Sequence, residues 1–301
     1  MKVGWFFTFL KYYFSTRLLG RRTPLLAGFK ITHTCNLTCR HCPFWHENLP
    51  QMTFTEIQEV LKRLHAMGIR ILLIEGGEPF LWRDGPYGLQ DVVNEAKRYF
   101  LSVGVTTNGT VSLDLDCNSL WVSLDGLRET HNHIRGREIF DKVIANIESC
   151  AHPNLYVNTT INNLNWKEIP DLVKFLKDKV KGMTIQFYYP YEKTDQLMLT
   201  NGQRITVLDE LIRLKREGWP VINSFRALEN LKTNNWTPRC KDWMIASIEP
   251  DGTITQGCYV KNRGTVQCGV CGFSTNTEIT LAYELVFESI NVGRRVFNYS
   301  R

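Results

Sequence analysis

No aspartate or glutamate precedes Glu47, whereas seven basic residues do: Lys2, Lys11, Arg17, Arg21, Arg22, Lys30 and Arg40. The net charge of +6 is therefore local, because the other 29 basic residues stand against 30 acidic ones. A nucleic-acid binder spreads its basic face over the folded body, so no nucleic-acid partner is expected. A basic amino-terminal segment fits an anionic surface such as a membrane. Long apolar runs are also lacking, and none approaches the roughly 20 residues that span a bilayer. No small-residue cleavage site follows the apolar, basic amino terminus, so no secretory leader is expected. Solenoid repeats and low-complexity tracts are missing as well. These absences point to a cytoplasmic protein with peripheral membrane association. At 43% apolar over 301 residues, the chain can bury a sizeable core, which excludes general disorder.

Cysteine, by contrast, is plentiful and clustered. Of nine, three fall in Cys35-Asn36-Leu37-Thr38-Cys39-Arg40-His41-Cys42 and four between Cys240 and Cys271. Cys117 and Cys150 stand apart and read as ordinary buried thiols. Clusters of this kind in a chain without a leader read as metal ligands in a reducing compartment. The C-x3-C-x2-C loop could hold zinc if His33, His41 or His46 supplied a fourth ligand. Three thiolates in one loop suit a four-iron cube better, because they bind three irons and leave one open.

From Phe29 onward, short strand-like and longer helix-like segments alternate. Strands are predicted at 28–34, 70–75, 102–107, 119–124, 154–161 and 183–189. Helices are predicted at 53–67, 88–100, 137–149 and 166–179, the first opened by a Thr53/Glu56 capping box. Such alternation implies an α/β fold with a parallel sheet covered by helices, wrapped right-handedly into a partial (β/α)6 barrel. A further helix at 203–217 closes this region. Residues 248–254 read as a hairpin with Asp251-Gly252 at its turn, and 277–291 as an amphipathic segment. Three regions follow: an amphipathic basic extension at 1–27, the barrel at 28–222, and a small cysteine-rich domain at 223–301. Active residues of such barrels gather at the carboxyl ends of the strands, and the unusual residues of this chain lie there. Cys35 follows the first strand, Gly76-Gly77-Glu78-Pro79 the second and Thr107-Asn108 the third. Ser123 and Asp125 follow at the fourth, and Asn158 lies in the fifth.

The cysteine loop resembles that of the radical S-adenosylmethionine (SAM) superfamily, although His41 stands where that family is often aromatic. Gly76–Pro79 resembles the family's GGEP motif, and Thr106-Thr107-Asn108-Gly109 its third-strand ending. Val122-Ser123-Leu124-Asp125-Gly126 with His131 and Arg135-Gly136 is similar to the subgroup of molybdenum-cofactor cyclases and peptide maturases. The resemblance implies a [4Fe-4S] cluster on Cys35, Cys39 and Cys42 whose open iron chelates SAM. It implies an electron donor of ferredoxin or flavodoxin type, and cleavage of SAM to a 5′-deoxyadenosyl radical that takes a hydrogen atom from an unactivated C–H bond. It further implies a SAM pocket of Gly76, Gly77, Glu78, Pro79, Thr107, Asn108, Ser123, Asp125, Arg135 and Asn158. In that pocket Glu78 would accept from an ammonium, Ser123 would meet the ribose and Arg135 the carboxylate. Asn158 reads equally well as a plain buried polar residue.

Cys240, Cys258, Cys268 and Cys271 are enough to saturate one cluster or one zinc. The hairpin followed by a C-x2-C knuckle resembles a Twitch domain, the shorter relative of the SPASM extension, with one residue more than usual between Gly252 and Cys258. That resemblance implies one auxiliary [4Fe-4S] cluster; a structural zinc ribbon is the alternative.

On a helix over 4–18, Gly4, Thr8, Lys11 and Ser15 form one narrow stripe and aromatic residues such as Trp5, Phe6 and Phe14 take the rest. Such a helix either lies in a bilayer surface or packs on the barrel or a second subunit. The preferred expectation is therefore a radical SAM enzyme that attacks the saturated chain of a membrane lipid. A ribosomal-peptide maturase and a non-catalytic zinc or iron–sulfur scaffold are the alternatives.

Overall fold

The computed structural model describes residues 3–47, 49–191 and 195–298. The side chains of Gly4, Trp5 and Phe6, part of the expected aromatic helix, lie outside the described residues. Six strands run from β1 (Leu26–Lys30) through β2 (Ile71–Glu75), β3 (Ser102–Thr107), β4 (Ser119–Ser123) and β5 (Leu155–Ile161) to β6 (Met183–Phe187), and a described helix follows each except β3. Each strand pairs in parallel with the next. The architecture is the expected partial barrel.

The helices between the strands are α2 (Phe54–Ala66), α3 (Leu89–Ala96), α4 (Arg128–Arg135), α5 (Phe140–Ser149) and α6 (Ile169–Phe175). They follow α1 (Val3–Arg17). Leu61 and Leu64 of α2, Val92 and Val93 of α3, and Leu172 of α6 are fully buried with Leu72, Val103 and Val157 of the strands. This is one continuous apolar layer outside the sheet, stabilised by roughly 1.5–3 kcal/mol per large side chain removed from water. The Thr53/Glu56 capping box forms as expected, with Thr53 N–H donating to Glu56 Oε2 at 2.8 Å.

Three expectations are corrected. The helix predicted at 137–149 is preceded by a separate α4, because Gly136 at φ +75° ends that helix in the left-handed region favoured by glycine. The first strand ends at Lys30, since residues 31–34 leave the ladder to begin the cysteine loop. The segment 277–291 is two helices, α9 (Ser274–Tyr283) and α10 (Phe287–Phe297), turned at Leu285 with φ +63°.

Beyond α7 (Asn201–Arg216) and α8 (Phe225–Thr233), the hairpin appears as β7 (Ile245–Ile248) and β8 (Ile254–Gln256). β7 pairs in parallel with β1, so the described strands form one sheet in the order β6-β5-β4-β3-β2-β1-β7-β8. A division at residue 222 thus leaves the cysteine-rich segment sharing the barrel's sheet. The pairing joins residues more than 200 positions apart, which local sequence pattern does not register. α10 closes the amino-terminal end of the inner face: Val296 packs on Trp121 and Tyr156, and Ser102 Oγ donates to Phe297 O at 2.5 Å.

α1 forms where predicted. Phe9, Tyr12 and Tyr13 pack against Leu25, Met244 and Tyr283, and Tyr12 OH donates to Thr23 O at 2.6 Å. Its other side leaves Phe7, Leu10, Phe14 and Leu18 exposed. No described helix is long and apolar enough to cross a membrane.

Candidate functional site

The first cysteine loop is held from two sides. On the β3 side, Asn36 Nδ2 donates to Thr110 Oγ1 at 2.8 Å, and Asn108 Nδ2 donates to Asn36 Oδ1 at 2.8 Å. On the α4 side, Arg40 N–H donates to Ile134 O at 2.9 Å and Arg40 Nε to His133 O at 3.0 Å. A Cβ at Gly136 would stand 2.7 Å from Thr38 Oγ1, so only glycine lets α4 end against the loop. N–H groups aim at the sulfurs: Leu37 N at 3.4 Å and Asn108 Nδ2 at 3.9 Å from Cys35, and Arg135 Nη1 at 3.8 Å from Cys39. Burial pushes the Cys39 thiol up to about 11 and raises that of Cys35. The thiols are thus protonated at neutral pH until a metal displaces the proton.

At the end of β2 the glycines serve backbone contact. A Cβ on Gly76 would meet Thr32 O at 2.4 Å and one on Gly77 would meet Thr34 O at 2.3 Å. Gly77 N–H donates to Thr32 O at 2.6 Å. Glu78 is fully buried. Its Oε1 accepts from Thr107 Oγ1 at 2.7 Å and Phe80 N at 3.2 Å, and its Oε2 from Asn108 N at 2.7 Å. Glu78 thereby ties the ends of β2 and β3 together, with Pro79 buried beside it. Burial raises its pKa against these donors.

At β4, Asp125 and Arg135 are paired with each other, Oδ2 to Nη2 at 2.7 Å, both buried. Burial works against the charge on Asp125, but Arg135 holds its carboxyl below the usual range. His41 Nε2 lies 3.9 Å from Asp125, and His131 Nδ1 accepts from Asp125 N at 3.1 Å. Burial, with Arg135 adding to it, lowers His41 to about 4 and His131 to about 3. Arg135 therefore spans Asp125 and Cys39. Ser123 and Asn158 stand side by side in register, half-buried at the end of β4 and in β5. Asn158 Oδ1 accepts from Thr184 Oγ1 at 3.0 Å.

The other four cysteines also gather. Cys240 and Cys271 feel Cys258 electrostatically, Cys271 feels Cys240, and Cys258 feels Cys268. Burial raises Cys240 to about 11 and Cys271 to about 12. Asn276 Nδ2 lies 4.0 Å from Cys240 Sγ, and Arg204 Nη2 donates to Cys271 O at 2.5 Å.

The model of the radical SAM superfamily matches residues 29–176. A GTP 3′,8-cyclase from Clostridium perfringens is 34% identical over 277 residues, which cover 80% of this chain and 82% of the relative. The chain belongs to the radical SAM superfamily. It is also 27% identical over 175 residues to an Fe-coproporphyrin III synthase from Methanosarcina barkeri, covering 54% of this chain and 43% of that one. It thus spans about two-fifths of that relative's length. Streptococcus suis SuiB, solved with its precursor peptide SuiA, shares the fold at a TM-score of 0.65. The identity there is 13%, covering 85% of this chain and 64% of SuiB.

Family membership implies a [4Fe-4S] cluster and SAM, and the first loop fits the cluster. Among the described residues no three His, Cys, Asp or Glu converge closely enough for a single metal ion. N–H donors at Cys35 and Cys39 suit the anionic sulfurs of such a cluster.

The radical SAM barrel also holds a charged cage that the motifs did not reveal. Lys30, almost fully buried at the end of β1, lies 3.4 Å from Glu75 Oε1 and over the rings of Phe44 and Tyr259 at 4.6 and 4.2 Å. Burial lowers its pKa to about 8, with Glu75 opposing. Arg263 Nε donates to Glu249 Oε1 at 2.6 Å, and buried His33 lies within 3.4 Å of both Glu47 and Glu249. Burial disfavours the Glu249 charge, but His33, Lys30 and Arg263 bring its pKa down to about 2. The available signal was a lysine inside the otherwise apolar run Leu25–Ile31.

Proposed function

We propose that this radical SAM enzyme carries an auxiliary [4Fe-4S] cluster on Cys240, Cys258, Cys268 and Cys271, and modifies a C–H carbon of a polar, charged substrate, with a peptide as the favoured class. The charged cage carries this reading. Tyr191 and Tyr259 at its edge lie in the field of Cys42, while Tyr189, 5.6 Å from the Tyr191 ring, lies in that of Cys258, Cys268 and Cys271. A substrate held between the two cysteine groups therefore meets Glu75 and Glu249, backed by Lys30 and Arg263. An alkyl chain there would cover charged groups without replacing their water, which is costly. SuiB, with its peptide bound, has the same fold.

When bound, the first cluster supplies the electron that splits SAM into methionine and a hydrogen-abstracting 5′-deoxyadenosyl radical; a ferredoxin- or flavodoxin-type protein delivers that electron. Ser123 and Asn158 offer a hydroxyl and an amide to SAM's ribose and carboxylate. Gly76, Gly77 and Glu78 fix the cysteine loop against β2 and β3. Arg135, neutralised by Asp125, steadies the sulfur of Cys39. To test the substrate class, reduced, reconstituted enzyme is given a mixed peptide digest or lipid vesicles, and 5′-deoxyadenosine formation is followed. Acceleration by peptides is expected; acceleration by vesicles alone would overturn the peptide reading.

A lipid substrate with peripheral membrane binding stands as the second reading, favoured by α1. Phe7, Leu10, Phe14 and Leu18 are spaced three, four and four along its exposed side. Lys11, Arg17, Arg21 and Arg22 lie among and just beyond them, each worth about 1 kcal/mol near an anionic surface. Replacing Leu10, Phe14 and Leu18 by Ser should abolish sedimentation with anionic liposomes and leave the melting temperature unchanged. Unaltered sedimentation would remove this reading.

A further inference from the structure

Arg204 lies in the first turn of α7 and is buried. That position is doubly unfavourable for a cation, since burial strips its water and the amino-terminal end of a helix is itself positive. Elsewhere in the chain a buried arginine is answered by a carboxylate: Arg135 by Asp125, and Arg263 by Glu249. Among the described residues no carboxylate pairs with Arg204. Its guanidinium donates instead to Leu231 O at 2.6 Å, Cys271 O at 2.5 Å, Val270 O at 3.5 Å and Asn234 Oδ1 at 3.2 Å. It also lies 4.4 Å over the Phe187 ring. Asn234 Nδ2 donates to Gly269 O at 2.9 Å. Arg204 and Asn234 thus grip three successive carbonyls of the Cys268–Cys271 knuckle. The nearby group that can carry a negative charge is the sulfur of Cys271, which acts electrostatically on Arg204.

We infer that Arg204 is the internal counter-charge of the second cysteine group, and that it eases one-electron reduction of the cluster held there. The inference rests on the proposal that this group is an iron–sulfur cluster. Reduction adds one negative charge to a group that is already anionic. A fixed cation within the same low-dielectric shell stabilises the reduced form more than the oxidised one. Arg204 is a positioning residue that acts through the ligands.

The test is a potentiometric titration of the reconstituted full chain, followed by electron paramagnetic resonance. The second group is isolated by working in the Cys35→Ala, Cys39→Ala, Cys42→Ala background. Arg204→Gln should make the second group at least tenfold harder to reduce, a fall of 59 mV for one electron, and Arg204→Lys should stay close to the unsubstituted chain. In the intact-cysteine background the first group should not move. An unchanged midpoint in Arg204→Gln, or an equal fall in both groups, overturns the inference. If Arg204→Gln sheds iron from the second group, Arg204→Lys decides: retained iron upholds the counter-charge, and loss from both variants makes Arg204 a clamp of specific shape and overturns it. Zinc in place of iron at the second group, visible in the unsubstituted protein before any variant is made, would instead refute the auxiliary-cluster proposal and this inference with it.

Discussion

The two cysteine groups are built on opposite principles. The first is preformed: a loop wedged between β3 and α4, with its buried Arg135 already neutralised by Asp125. The second leaves its buried Arg204 facing carbonyl oxygens and a thiol. A charge balance closed within the protein lets a site fold before its metal arrives. An open balance makes folding and metal binding one event. The comparison predicts that the first loop survives removal of metal and that the 257–273 segment does not.

The sharpest way to break the comparison is to remove the ligands. Replacing Cys35, Cys39 and Cys42 together by Ala should abolish 5′-deoxyadenosine formation completely; residual product would refute the assignment of the radical SAM ligands. Cys268→Ala with Cys271→Ala should lower bound iron from about eight to about four atoms per chain, for two four-iron clusters. SAM cleavage should persist without substrate modification. Proteolysis of metal-free protein should then cut within 257–273 well before 31–43, and equal rates would erase the distinction between the groups.

The next effect is on stability. Asp125→Asn leaves Arg135 buried with its carboxylate partner gone, which costs about 3–5 kcal/mol. Urea unfolding should show the loss directly. Arg204→Met removes the buried charge itself, so it should cost less in metal-free protein. Metal-free Arg204→Met less stable than metal-free Asp125→Asn would reverse the assignment of balanced and unbalanced charge.

The barrel and the order of its strand-end motifs were legible because their signals are local. Strand period, the Thr53/Glu56 capping box and cysteine spacing each sit within a few residues, and a parallel βα unit delivers strand-end motifs to one rim. What escaped was non-local. Nothing around residue 245 indicates pairing with Leu26–Phe29 across the chain. The Asp125–Arg135 pair needed α4 to be seen as a helix separate from α5, and that break depends on Gly136. Glu78 was read as an acceptor for an ammonium, and the contacts its oxygens also make with Thr107 and Asn108 depend on the approach of β3. The cage around Lys30 assembles from five separate stretches of chain, so one lysine in an apolar run was its main trace.

The smallest expected effect separates the groups by pH. His131, buried beside the Asp125–Arg135 pair, has a folded pKa near 3, lowered first by burial and then by Arg135. Its unfolded value is about 6.5. Between these values the unfolded chain binds a proton that the folded chain refuses, so stability is full above pH 6.5 and is lost as pH falls below it. From pH 7.5 to 5.5 the loss through this one group is about 1.4 kcal/mol. His41, lowered to about 4, adds a loss of the same sign. His131→Gln keeps an acceptor for Asp125 N–H but cannot titrate. Urea unfolding at the two pH values should therefore show an acid penalty smaller by that amount in the variant. An unchanged penalty would mean that His131 does not carry the acid sensitivity of the first group's surroundings. The Arg204 region contributes no group of this kind among the contacts described, so Arg204→Gln should leave the acid limb as it is.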